Sequence, residues 1–354
     1  MAKLETKTLN LYAVNNKQTP IPLEINVSHT GPILSKPEQY QVSVMKVVLD
    51  LNTIPLLVQD VPNDANRAIC VIYKPKKGEL CYVEEYITWQ PHSYNQSLNE
   101  YYYDQYSYEG ILQSINEAYK RAFSRLDNRA FAINPPIFTL NPELNKIQVT
   151  LNSVIIPAIN NGNTKTFPDV PAEGDALYIG VCKGMNSWFD GFNNFYVSGI
   201  TDAKFPLNLN NILRFLTIPM CEKTQTIIQS KSSLDAINGT TNITITSTLP
   251  ITPELMPHLN INSDFSTQNL FTGQNSILME CSIGSRNFNT NLLEYVPSNY
   301  HIPLKQIATF VDFQIRAFFV NKGNTADQPI FKEIYLEESA FFNIKLKFEP
   351  IERV

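Results

Sequence analysis

The stretch YYYDQYSYEGILQSINEAYKRAFSRL, Tyr101–Leu126, decides the reading of the fold because it is the exception in its chain. It opens with a run of tyrosines, then adopts helical spacing. Ile111, Ile115, Ala118, Tyr119, Ala122, Phe123 and Leu126 recur at steps of three and four, which places them on one helix face. Gln113, Asn116, Glu117, Lys120, Arg121 and Ser124 take the other face. Ser107 suits the N-cap, since its hydroxyl can accept from an unpaired first-turn amide. Glu109 suits the positive end of the helix dipole. A single helix of this kind cannot bury its stripe alone, so it must lie on a sheet or a partner.

Working outward, the flanks alternate at period two. Ile21–Ser28, Gln39–Leu49 and Ile54–Val58 read as strands, with Pro22 marking an edge or a strand start. Ile69–Tyr73 and Leu80–Trp89 form a hairpin pattern around Pro75–Gly78. Ile137–Leu140 and Ile147–Leu151 flank Asn141–Lys146, a second hairpin signal. Ala176–Cys182 is a short apolar run suited to a buried strand, and Met185–Phe192 a helical turn that lets Trp188 plug a core.

Thr224–Gln229 and Ile243–Thr246 are β-patterned with Asn238-Gly239 as a turn between them. Asn160–Gly174 and Thr252–Gln274 are polar, proline-bearing loops. The clearest alternation is C-terminal. Val311, Phe313, Ile315 and Ala317, then Phe342, Ile344, Leu346 and Phe348, alternate with polar residues as in strands buried on one face. No short-period repeat is present, which disfavours solenoids and propellers.

Composition agrees with a large β architecture. The chain has 354 residues, 43% hydrophobic and only 17% charged, against about 25% charged in ordinary globular domains. Asn makes up roughly a tenth of it, and Pro (23) outnumbers Gly (13), a balance that favours many short strands joined by turns. A net charge of −5 and the lack of a basic arm give no strong nucleic-acid signal. The N-terminus lacks the apolar run of a signal peptide, and no run of 18 apolar residues suggests a transmembrane helix. Cys70, Cys81, Cys182, Cys221 and Cys281 are odd in number, dispersed and outside CxxC pairs, so buried free thiols are expected. The sequons at Asn26, Asn95, Asn238 and Asn242 read as by-products of an Asn/Thr-rich chain.

A search for chemistry yields no catalytic, cofactor-binding or metal-ligating candidates. His29, His92, His258 and His301 are isolated, without HxH, HxxxH or HExxH spacing. No GxSxG elbow or phosphate-cradling glycine loop occurs. Glu84 and Glu85 are adjacent on a strand, so they face opposite sides and cannot share an acid–base site. Tyr101, Tyr102, Tyr103 and Tyr106 are the candidate site residues. Tyrosine is enriched at protein interfaces, which makes a subunit contact the leading reading and a sugar platform the rival.

Several features together resemble the jelly-roll capsid proteins of icosahedral DNA viruses, of the polinton-like and virophage-like type. They are Thr246–Ile251 with the long loop after it, Ser276–Met279, Tyr295–Ser298, Pro303-Leu304 and the strand Val311–Ile315. In the first half the resemblance rests on Tyr106–Tyr108 leading into Ile115–Ala118, then Pro135–Phe138 and the Asn-Pro hairpin.

The resemblance implies an all-β jelly-roll sandwich with one main amphipathic helix. Two jelly-rolls in tandem are the expectation: residues 1–205, carrying the helix at 107–126, and residues 206–354. A single jelly-roll with an added domain, as in a penton or minor capsid protein, stays open. It further implies a virion structural protein, not an enzyme, with no cofactor. Such a protein is made and assembled inside the host cell, self-associates through trimers into an icosahedral shell, and contacts other capsid proteins. Contact with an internal membrane is compatible with the charge. The alternative function is a β-sandwich recognition module (a fibre, adhesin or lectin-like protein) binding glycans on the tyrosines. A carbohydrate-active jelly-roll enzyme would need two carboxylates ~5–10 Å apart.

Overall fold

A computed structural model of the chain describes residues 4–59, 62–74, 81–91, 93–95, 100–126, 135–151, 176–192, 195–196, 212–218, 225–251, 276–283, 292–297, 301–306, 310, 312–321 and 330–351. The expected loops at Asn160–Gly174 and Thr252–Gln274, and the expected boundary at 205/206, lie outside these residues. Two compact units emerge. One joins Met1–Pro55 to Gly239–Val354, and the other is Leu56–Asn238.

The strands of the first unit before the insertion are β1 (Lys7–Val14), β2 (Ile21–Pro22), β3 (Glu24–Ser28) and β4 (Tyr40–Asp50). The inserted unit contains β5 (Asn63–Lys74), β6 (Cys81–Thr88), β7 (Ser93–Asn95), β8 (Glu100–Tyr102), helix α1 (Tyr108–Arg125), β9 (Ile137–Asn141), β10 (Lys146–Leu151), β11 (Ala176–Cys182), β12 (Phe195–Tyr196), β13 (Ile212–Ile218), β14 (Gln225–Ile228) and the short helix α2 (Leu234–Ile237). The first unit resumes with β15 (Thr240–Ser247), β16 (Ser276–Ser282), β17 (Leu292–Tyr295), β18 (Ile302–Pro303), β19 (Asp312–Asn321), β20 (Ile330–Glu333), β21 (Tyr335–Leu336) and β22 (Phe341–Pro350).

The first unit is one jelly-roll. Its eight main strands, taken in chain order, are β1, β3, β4, β15, β16, β17, β19 and β22. One sheet runs β1-β22-β4-β17, the first, eighth, third and sixth of them. The other runs β3-β19-β15-β16, the second, seventh, fourth and fifth. That interleaving is two Greek keys folded into two facing sheets. Short β18 extends the β17 edge of β4, and β20 extends the β3 edge of β19.

The C-terminal alternation read from sequence is the reason these sheets pack. Phe342, Ile344, Leu346 and Phe348 are fully buried, as are Phe313, Ile315 and Ala317 on the facing strand. Phe310 stacks on Phe313 at 5.8 Å and meets Phe348 at 6.2 Å between ring centroids. Each such side chain removed from water contributes ~1.5–3 kcal/mol.

The inserted unit is also β, with a different order. Its larger sheet runs β12-β13-β11-β5-β6 and a smaller one β14-β10-β9. Among the described residues neither shows the jelly-roll interleaving, and this unit interrupts the jelly-roll between its third and fourth main strands. Long-range pairing makes this jelly-roll: β22 bonds to both β1 and β4, which ties the two ends of the chain into one sheet.

Both expected hairpins form, β5 with β6 and β9 with β10. Asn145 takes φ 54° in the second turn, a left-handed conformation that Asn tolerates. One local reading is corrected. Ile54–Val58 is not a strand. Leu56 and Leu57 instead bond through their amides to the Gln105 carbonyl, at 2.7 and 3.2 Å, and Pro55 has no amide to offer a ladder. Asn238-Gly239 lies between α2 and β15, and a Cβ added at Gly239 would lie 2.9 Å from Asn321 Oδ1.

Candidate assembly surfaces

The helix that marked the sequence is docked as its stripe requires. Ser107 Oγ accepts from the Gly110 amide at 3.0 Å. Ile111, Leu112, Ile115, Ala118, Tyr119 and Ala122 are buried against β5, β6 and β9. Tyr119 stacks on Phe138 at 5.5 Å, Phe138 meets Phe189 edge-on at 5.1 Å, and the Tyr119 hydroxyl donates to the Gly180 carbonyl at 3.1 Å. Asn116, from the polar face, makes two 2.8 Å bonds to the Phe138 backbone, its Nδ2 to the carbonyl and its Oδ1 from the amide. The same helix clamps a buried carboxylate: Glu85 pairs with Arg121 at 3.4 Å and with Arg125. Glu84, its neighbour on β6, faces the other way, and burial raises its carboxyl above the usual range.

The tyrosine run is a laced segment. Tyr101 and Tyr102 lie in β8, paired with Tyr94 and Ser93 of β7. The Tyr103 amide donates to the Gln59 carbonyl at 3.2 Å, and Asp104 Oδ1 accepts from the Gln59 amide at 2.8 Å. Tyr103 and Tyr106 are half-buried, whereas Tyr108 is fully buried, with its hydroxyl 3.4 Å from the Leu234 carbonyl. The segment is thus fixed by its backbone and keeps part of two rings at the surface.

Sequence reasoning missed a second surface. The outer face of the β1-β22-β4-β17 sheet carries Tyr12 (62% exposed) and Val14 (48%) on one edge strand and Leu292 (47%) on the other. Register sets Tyr12, Asn343, Val48 and Glu294 in one row across the sheet, with Val14 and Phe341 in the next. The signal was present in β1, where apolar residues fill both parities of LNLYAV instead of one.

The chemistry at other polar clusters is structural. Cys70, Cys182 and Cys281 are buried thiols; Cys221, His92 and His258 lie outside the described residues. Burial pushes the Cys70 thiol up, and pushes Cys281 up to about 11. Gln229 is a buried hub: its Nε2 donates to the carbonyls of Trp188 (3.1 Å) and Asp190 (2.7 Å), and its Oε1 accepts from the Ile147 amide (3.0 Å). Among the described residues no helix is long and apolar enough to cross a membrane.

Comparison with known proteins follows the same line. The family model for the Sputnik minor capsid protein V18/19 matches residues 5–346. Among solved structures the chain is similar to the mavirus penton protein, with 17% identity and a TM-score of 0.62, over 98% of this chain and 100% of that one. It is also similar to a chain in the cryo-EM structure of the Sputnik virophage, with 15% identity, a TM-score of 0.66 and 98% of each chain covered. At these identities the structural likeness speaks for the fold. No curated protein matches by sequence. With the family match spanning nearly its whole length, the chain belongs to the Sputnik minor capsid protein V18/19 family: a structural protein of a virion, assembled with other capsid proteins and not an enzyme.

Proposed function

We propose that this capsid protein is a penton-type vertex subunit, assembling as a closed ring of five copies in an icosahedral shell. The observation that supports the reading is a jelly-roll interrupted between its third and fourth main strands by an added unit. A repeated head-to-tail contact between identical subunits closes into a ring when its rotation allows. The likeness to a protein described as a penton supports the same reading. A trimer, which follows from two jelly-rolls per chain, is the competing stoichiometry. The tyrosines Tyr101, Tyr102, Tyr103 and Tyr106 are a proposed contact between neighbouring copies, supported by the part-open rings of Tyr103 and Tyr106.

Native mass spectrometry of the purified chain tests the stoichiometry. A subunit of 40.2 kDa predicts a species of about 200 kDa for five copies. A species of about 120 kDa, three copies, would overturn the vertex reading in favour of the trimer.

A further inference from the structure

We propose that helix α1 shields the open strand edges of the inserted unit, and so keeps another chain from adding a strand there. A strand at the edge of a sheet carries a row of unbonded amides and carbonyls, a template on which a strand from another copy can pair. Among the described residues β9 ends the smaller sheet of this unit and β6 ends the larger one. Both strands meet the same helix. A shell crowds many copies of a capsid protein together, so an edge left bare is exposed to wrong pairing during assembly.

The helix reaches the backbone of both edges. Phe138 of β9 stands opposite Val149 of β10, yet its carbonyl accepts from Asn116 Nδ2 and its amide donates to Asn116 Oδ1, both at 2.8 Å. In an antiparallel ladder successive residues turn their backbone groups to opposite sides, so these two groups leave β9 on its open side. The Asn116 carboxamide offers a donor and an acceptor as a peptide group does, and it takes the place a neighbouring strand would fill. A side chain kept only to wet the polar face of the helix would have no need of both bonds to one residue's backbone. At the other edge Arg121 Nη2 donates to the Tyr86 carbonyl of β6 at 2.9 Å and to Thr88 Oγ1 at 3.3 Å. Its Nε donates to Glu85 Oε2 at 3.4 Å, which holds the guanidinium along the strand. Spacing explains how one helix serves two edges. Asn116 and Arg121 are five positions apart, about 140° around the axis at 3.6 residues per turn. They flank the buried stripe of Ile115, Ala118 and Ala122 on its two sides, Asn116 towards β9 and Arg121 towards β6.

The test compares the full-length chain with Asn116→Leu, Arg121→Met and a control, Gln113→Leu, which adds apolar surface at an exposed position of the same helix. Hydrogen exchange reads the cap, and sedimentation with thioflavin T fluorescence reads strand addition. In Asn116→Leu the Phe138 amide should exchange roughly tenfold faster, the loss of one hydrogen bond, while the Val149 amide inside the sheet keeps its protection. The same variant should form species larger than the parent assembly that bind thioflavin T. Arg121→Met, with Glu85 still paired to Arg125, should do so from the β6 edge. The parent and Gln113→Leu should not. An unchanged Phe138 rate overturns the cap. A faster Phe138 rate without the larger species overturns the shield, as does an equal response from Gln113→Leu. Arg121→Met that associates like the parent overturns the shield at β6. If Asn116→Leu also loses Val149 protection, Asn116→Asp decides, since it keeps the acceptor for the Phe138 amide and loses only the donor to the carbonyl: larger species support the shield, and their absence overturns it.

Discussion

Replacing Ile115 by Ala tests the docking of the helix and the independence of the two units in one experiment. Ile115 is fully buried on the face of α1 that meets β5, β6 and β9. Truncation removes three carbon atoms from a fully buried site. Buried Ile→Ala changes cost ~2–5 kcal/mol, and a fully buried site belongs in the middle of that range, ~3–4 kcal/mol. The readout is built into the chain. Its only two tryptophans, Trp89 and Trp188, both lie in the inserted unit, and both are buried.

Tryptophan fluorescence in a urea titration therefore reports the inserted unit and is silent on the jelly-roll. With a slope of ~2 kcal/mol per molar urea, the midpoint should fall by about 1.5–2 M. Hydrogen exchange of β22 amides should be unchanged, since that strand bonds only within the jelly-roll. A fluorescence midpoint displaced by less than about 0.5 M would refute the docking. Loss of β22 protection in parallel would refute the independence of the units.

Two further outcomes follow from particular residues. Gly191 has φ +88° and a Cβ built there would lie 2.8 Å from the Lys231 carbonyl oxygen; Gly191→Ala should lower the same fluorescence midpoint by the equivalent of ~1–3 kcal/mol, and an unchanged midpoint would show that the turn relaxes freely. Burial raises the Cys281 thiol from 9.0 to about 11, so in that window the unfolded chain has released a proton that the folded chain still holds. The stability linked to the neutral thiol is full below pH 9 and is lost as pH rises through about 11. Cys281→Ala should flatten the alkaline fall of jelly-roll stability measured by hydrogen exchange, and an identical alkaline slope in the variant would rule the thiol out as its source.

Much of the inserted unit was legible because its signals are local. The N-cap at Ser107, the stripe through Ile115 and Tyr119, and the hairpin around Asn141–Lys146 all depend on residues within one turn or one strand pair. The buried strands near the C-terminus were legible for the same reason, since alternation declares which side is wet. Ile54–Val58 misled because an apolar run states burial and not backbone geometry; its amides go to Gln105, some fifty positions away. The exposed apolar residues of the outer face were overlooked because they lie on separate strands, and no one of these segments shows the others.

By itself, then, the sequence determined that the chain is β-rich with one docked helix, that it lacks short-range catalytic spacing, and that it resembles capsid jelly-rolls. Only the tertiary structure decided which strands make up the jelly-roll. That depends on whether β22 returns to pair with β1 and β4, across more than three hundred residues in the first case. Periodicity records which face of a strand meets the core, but it carries no information about which strand lies alongside. That choice is made by the packing of whole sheets, and it made one jelly-roll from the two ends of the chain.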